Sequence, residues 1–214
     1  MTTPDDFVRA NTVLSQAPLV PEIPLWLATE LTPIWQATED WLHEQNIEPP
    51  FWAFAWPGSQ ALARHILDNP GLVAGRRVLD FAAGCGLAAI AAARAGAAFV
   101  EAAEIDPLAV AAIHRNAEAN HVGIAAATGD IIGAPCRWDL ILCGDVCYEA
   151  PMTGHILPWL RQMAGTASVW VADPGRAYLP RAELSAFATY IVPTTLELED
   201  RDEREVILFH LAAA

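Results

Sequence analysis

The chain has 214 residues, 54% hydrophobic and 18% charged, which excludes a disordered or collagen-like polymer and suits one globular unit. Acidic residues outnumber basic ones 26 to 12, a formal net charge of −14. Binding to a phosphate backbone runs on cationic side chains, so no nucleic-acid partner is expected. All twelve basic residues are arginine.

Four cysteines, Cys85, Cys136, Cys143 and Cys147, form no CxxC pair and have no second Cys/His pair at zinc-site spacing, so no metal is expected and a reducing compartment fits. The start, MTTPDDFVRANT, lacks the features of a signal or transit peptide. The most apolar window, Phe81 to Ala93, is too short for a bilayer. The expectation is a cytoplasmic, monomeric protein without a membrane partner.

Residues 1–50 read as an N-terminal extension and 51–214 as the main domain. In the extension, Pro18, Pro21 and Pro24 punctuate an extended stretch, and Leu25 to Glu44 reads as one or two helices broken near Pro33. In PPFWAFAWPG, residues Trp52, Phe54 and Trp56 alternate as in an extended segment. Ser59 is the expected N-cap of a helix over Gln60–Leu67.

From about residue 76 strands and helices alternate. RRVLDFA is a buried strand, and Gly84-Cys85-Gly86 turns the chain into an Ala-rich helix over 87–95. AAFVEAAEID is the second strand, followed by a helix opened by Pro107. IAAATGD, WDLILCGDV and ASVWVADP supply three more strands, with a helix in ILPWLRQMAG. Such alternation, with near-continuous apolar strands, means a mostly parallel α/β sheet covered on both faces. The tail TTLELEDRDEREVILFHL reads as an antiparallel hairpin around a solvated charged turn, Glu199–Glu205.

Four spots carry chemistry. In VLDFAAGCG, a strand ends in Asp80 and Gly84-x-Gly86 opens a helix, so a ligand can approach bare backbone and helix N–H groups. The same residues loosely match the dinucleotide fingerprint G-x-G-x-x-G/A. A pyrophosphate would avoid a carboxylate there, whereas the ammonium and sulfonium of S-adenosylmethionine would welcome Asp80. In EIDP, Glu104 is placed to accept ribose hydroxyls and Asp106 to cap the next helix. Asp130 of TGD is placed near the adenine amine, with Ile131 against the ring. In CGDVCYE, Asp145 and Tyr148 sit at the carboxyl end of a strand beside the first one, at the switch point where open sheets bind ligands. A buried carboxylate there calls for a cationic or hydrogen-bonding guest.

Together, VLDFAAGCG, EIDP, TGD and GDVCYE resemble a class I S-adenosylmethionine-dependent methyltransferase. PPFWAFAWPGSQALARHILDNP and ADPGR narrow the resemblance to the lysine methyltransferases of the electron-transfer flavoprotein β subunit, over roughly residues 49–180. The resemblance implies a Rossmann-like seven-stranded sheet with its last strand antiparallel. It implies cofactor contacts at Asp80, Gly84, Gly86, Glu104 and Asp130, to which Trp56 and Gly144 are added. It places Asp145 and Tyr148 at the acceptor lysine and Asp173 and Arg176 of ADPGR near the same mouth. The motif's usual first glycine is Ala82 here, tolerable only if that residue avoids positive φ.

The expected reaction is methyl transfer to a protein lysine, with the flavoprotein β subunit the first substrate and a ribosomal protein the second. Asp145 would position the amine and Tyr148 would offer its ring face to the methylammonium. The rivals are a small-molecule, nicotinamide-like N-methyltransferase, a non-catalytic cofactor-binding module and a dehydrogenase.

Overall fold

The computed structural model describes residues 3–37, 42, 48–195 and 199–213. A short helix α1 (Pro4–Asn11) leads into an antiparallel hairpin of β1 (Val13–Ala17) and β2 (Val20–Leu27). Helix α2 (Pro57–Asp68) precedes the alternating region: β3 (Arg77–Phe81), α3 (Leu87–Arg94), β4 (Phe99–Glu104), α4 (Pro107–Ala119), β5 (Ala125–Thr128), β6 (Leu140–Gly144), α5 (Ala150–Ala164) and β7 (Ser168–Asp173). The hairpin β8 (Leu184–Pro193) and β9 (Glu203–Leu211) ends it.

The main sheet has seven strands in the order β5-β4-β3-β6-β7-β9-β8. Strands β3 to β7 are parallel, and β9 runs antiparallel between β7 and β8. Strand order reverses between β3 and β6, so the crevice of an open α/β sheet opens at their carboxyl ends.

Alternation along each strand divides the core. Val78, Leu140, Leu142 and Trp170 face one layer with Leu62 and Ile66 of α2 and Leu87 and Ile90 of α3. Leu79, Ile141, Cys143 and Val171 face the other, against Ile156, Trp159 and Leu160 of α5. Buried on both faces, the central strands read as unbroken apolar runs.

The N-terminal residues share this core. Ala17, Val20, Ile23 and Leu25 pack in the same cluster as α2 and α3. Asn116 of α4, fully buried, accepts from the Trp26 amide at 2.6 Å and donates to the Cys85 carbonyl at 2.9 Å. It thereby ties the hairpin to the glycine turn, with each polar atom satisfied.

Several expectations need correction. The stretch around Pro18, Pro21 and Pro24 is extended as expected, but it also pairs with itself as a hairpin over 13–27, with Pro18 in the turn and Pro21 and Pro24 in an edge-type strand that tolerates missing donors. Of the helical run expected over Leu25–Glu44, Leu25–Leu27 are strand, 28–37 are turns, bends and irregular chain, and Leu42 is helical as expected; positions 38–41, 43 and 44 lie outside the described residues. Phe51–Ala53 form a 3-10 turn, and α2 starts at Pro57 with Trp56 as its cap, so Ser59 lies inside it. The first strand of the terminal hairpin is LSAFATYIVP, upstream of the expected TTLELED, whose positions 196–198 also lie outside the described residues. Its Ala, Ser and Thr residues weaken the apolar alternation that marks a strand.

Candidate active site

The glycine turn after β3 is the first part of the site. Gly84 and Gly86 take φ of +54° and +78°, and Ala82 takes +54°. Ala82 thus occupies the left-handed region that its methyl group disfavours. A Cβ on Gly84 would meet nothing nearer than the Phe51 carbonyl at 4.0 Å, so this bare backbone borders open space. Gly86 differs: a Cβ there would lie 3.1 Å from Ile113, so it serves the close packing of α4.

Asp80 is buried and its Oδ2 accepts from the Ala89 amide at 2.8 Å, tying the strand end to the first turn of α3. Burial pushes its carboxyl up to about 8, against the lowering by that amide. Glu104 Oε1 accepts from the Gly84 amide at 2.7 Å and its Oε2 from the Ile105 amide at 3.1 Å, so it props the turn from the neighbouring strand. Burial raises its carboxyl too. One buried and one half-buried acid, both with raised affinity for protons, suit a cationic, hydroxyl-rich guest. Asp106 caps α4 through the Leu108 amide at 2.8 Å, as expected. Asp130 is more exposed; it accepts from the Ile132 amide at 2.9 Å and meets His155 Nε2 at 2.8 Å, which together hold its carboxyl below the usual range.

Asp145 follows β6, whose Phe81↔Cys143 pairing sets it beside the glycine turn. It has φ of +56° and only 8% exposure. Its Oδ2 accepts from the Gly58 amide at 2.5 Å, and its Oδ1 accepts from Arg176 Nη2 at 2.8 Å and Nε at 3.2 Å. Burial pushes the carboxyl up to about 6, against the pull of Arg176 and the Gly58 amide. The cationic guest expected for Asp145 is therefore supplied in part by the chain itself.

Asp173 and Arg176 form a turn after β7. Asp173 Oδ1 accepts from the Gly175 and Arg176 amides at 2.6 Å each, while its buried Oδ2 has no partner among the described residues. Arg176 reaches past Asp145 to Glu199, Nη2 to Oε1 at 2.5 Å and Nη1 to Oε2 at 3.2 Å. Glu199 is 3% exposed, so the charged run is not simply a solvated turn. Gly144 is needed for close approach: a Cβ there would stand 2.9 Å from the Ser59 amide nitrogen.

An aromatic row borders these groups. Tyr148, 40% exposed, lies 5.5 Å from Phe51 between ring centroids. Phe51 meets Trp56 at 6.0 Å, and Trp56 Nε1 donates to the Phe51 carbonyl at 2.7 Å. Trp56 also lines a cavity of about 540 Å³ with Leu27, Trp35, Phe54, Gln60 and Glu199, and no residue of the glycine turn lines it. Phe51, Gly58, Glu199 and Arg204 were not read as site residues: Pro57-Gly58 carried a signal only as a turn, and Glu199 and Arg204 only as part of a charged run.

His65 packs edge-on against Trp170 and Phe187 and bonds Tyr190 through Nδ1 at 2.9 Å. Among the described residues no group of three or more His, Cys, Asp or Glu is placed to hold a metal, and no helix is long and apolar enough to cross a membrane.

Comparison with known proteins agrees with this geometry. Residues 61–143 match the family described as ribosomal protein L11 methyltransferase (PrmA). The chain is 38% identical over 205 residues to the electron transfer flavoprotein beta subunit lysine methyltransferase of Danio rerio, covering 91% of this chain and 78% of that one. It is 41% identical over 181 residues to the Xenopus laevis protein of the same name, covering 82% and 72%. In fold it is similar to magnesium protoporphyrin IX methyltransferase from Synechocystis PCC 6803 with bound SAH, at TM-score 0.53 and 20% identity over 72% of this chain and 83% of that one. The sheet, the glycine turn with its two acids and these relatives place the chain among the class I methyltransferases, as a member of the electron transfer flavoprotein beta subunit lysine methyltransferase family.

Proposed function

We propose that the chain transfers a methyl group from S-adenosylmethionine to lysine side chains of the electron transfer flavoprotein β subunit. The observation that carries this is Asp145 with Tyr148 at the sheet's switch point, beside a glycine turn propped by Asp80 and Glu104. The open space at Gly84 and the raised affinity of both acids for protons fit a cationic cofactor. In this reading Asp80 would take its ammonium, Glu104 its ribose and Asp130 its adenine, and Trp56 would border the site from the N-terminal side.

When bound, the cofactor supplies a methyl carbon already activated by a sulfonium, and what remains for the protein is alignment and a neutral amine. A free lysine has a pKa of about 10.4, so one proton must pass to solvent water before the nitrogen lone pair can form the new C–N bond. Asp145 accepts a hydrogen bond from that amine and orients it. The phenol ring of Tyr148, backed by Phe51, stabilises the methylammonium that forms by a cation–π contact. Asp173 holds the turn that presents Arg176.

The acidic surface favours encounter with a basic, lysine-bearing segment and disfavours nucleic acid. Four free cysteines fit a reducing compartment, the cytoplasm. A monomer suffices for this reaction, because one chain carries all of these residues.

The test is incubation with methyl-labelled S-adenosylmethionine and the flavoprotein, followed by mass mapping. Label on a β-subunit lysine, lost in Asp145→Ala, supports the reading. Label on a ribosomal protein alone, a substrate consistent with the match over residues 61–143, would replace the substrate, and label only in small amines would overturn protein methylation.

A further inference from the structure

Asp145 raises a chemical difficulty. A lone buried carboxylate beside an amine stabilises the ammonium, which cannot attack. The structure answers with a chain of alternating charge. Arg176 bridges Asp145 and Glu199, and Glu199 in turn accepts from Arg204 Nε at 2.9 Å, while Arg204 Nη2 bonds the Glu199 carbonyl at 2.7 Å. Two acids and two arginines balance, so the Asp145 carboxylate is paired before any substrate arrives.

Glu199 lies far from Asp145 in sequence, in the turn between β8 and β9, and touches it only through Arg176. Its side chain is 2% exposed while that of Arg176 is 22% exposed. A long guanidinium with that much solvent access has other rotamers available, and a two-point contact with a fixed carboxylate selects one of them.

We propose that Glu199 is a positioning residue of the methyl-transfer reaction: it clamps Arg176 onto Asp145, so that Asp145 orients the acceptor amine without holding it as the ammonium. The inference rests on the lysine-methyltransferase reading above. The other groups around Asp145 are Asp173 at the end of β7, Cys147 in the loop after β6, and the uncharged Gly58 amide at the start of α2. Asp173 adds negative charge there, which makes the clamped arginine more necessary.

The experiment compares the pH dependence of kcat for the wild type, Glu199→Ala and Glu199→Gln on the protein substrate, with melting temperature and S-adenosylmethionine affinity measured in parallel. In Glu199→Ala, Arg176 is released, the amine keeps its proton longer, and the rising limb of the profile moves up by about one pH unit. In Glu199→Gln, the amide oxygen holds Arg176 Nη2 at one point only and the new NH2 group faces the donors Arg176 Nη1 and Arg204 Nε, so the clamp loosens and the limb moves up by less than in the alanine variant, by about half a unit. Cofactor affinity stays within about twofold in both variants if the glycine turn is untouched. Rate losses equal at every pH, with unmoved limbs, would mean a purely structural role and overturn the inference. If the alanine variant fails to fold, the glutamine variant decides, and an unmoved limb there overturns it. A wild type that labels no protein lysine at any pH overturns the functional reading and the inference together.

Discussion

The Gly58 amide donates to Asp145 Oδ2 at 2.5 Å, so the first turn of α2 is assembled on the carboxylate that follows β6. A Cβ on Gly58 would lie 2.5 Å from that oxygen and 2.7 Å from the Ala172 carbonyl. Both neighbours are held, one by Arg176 and one by the sheet, so neither can yield. Gly58→Ala is expected to destabilise the fold by about 1–3 kcal/mol through overpacking. It should also cut methyl transfer at least about tenfold by displacing Asp145, since a misplacement of an ångström is costly to alignment. Thermal melting and a labelled-methyl assay check the two effects separately.

Ala82 offers the opposite experiment. Its φ of +54° costs an alanine roughly 1 kcal/mol that a glycine would not lose. Ala82→Gly should therefore raise the melting temperature by about 2–4 °C for a chain of this length. A fall instead would show that the turn relaxes around the methyl group.

The pH dependence of cofactor binding follows from Asp80. Its carboxyl, pushed up to about 8 by burial, carries a proton at neutral pH without a guest. A cationic ligand favours the carboxylate, so binding releases that proton, and affinity should rise with pH until about pH 8 and then level. Calorimetry in buffers of different ionisation enthalpy reads the release directly. Stability runs the other way. The folded state holds this proton between the ordinary carboxylate range and pH 8 while the unfolded state does not, so the ligand-free protein loses stability as pH rises through that window. Asp80→Asn should flatten both trends and weaken binding by about tenfold, the loss of one charge-assisted contact.

Tyr148 separates ring from hydroxyl. If its face stabilises the methylammonium, Tyr148→Phe keeps kcat within about threefold, while Tyr148→Ala lowers it by about tenfold, the worth of a partly desolvated cation–π contact. Equal losses in the two variants would shift the role to the hydroxyl.

The parallel sheet, the glycine turn and the acids at the strand ends were legible in the order of the amino acids. These are local properties: VLDF and LILC are buried on both faces and so are apolar but for the strand-end acid Asp80, and a tight turn needs Gly84 and Gly86 at positive φ. The N-terminal hairpin and the start of β8 were not legible in that way. Pro21 and Pro24 suppress a strand pattern, and the alanines and threonine of LSAFATYIVP contribute little alternation, so pairing with neighbours decided their conformation. Only the tertiary structure could bring Gly58, Arg176 and Glu199 to Asp145, because the charges of a buried ion pair carry no sequence period. Glu199 in an acidic run looks the same whether it meets water or an arginine folded back from the end of β7. What distinguishes the two cases is the exclusion of water, and that exists only once the sheet and both hairpins have closed around the pair.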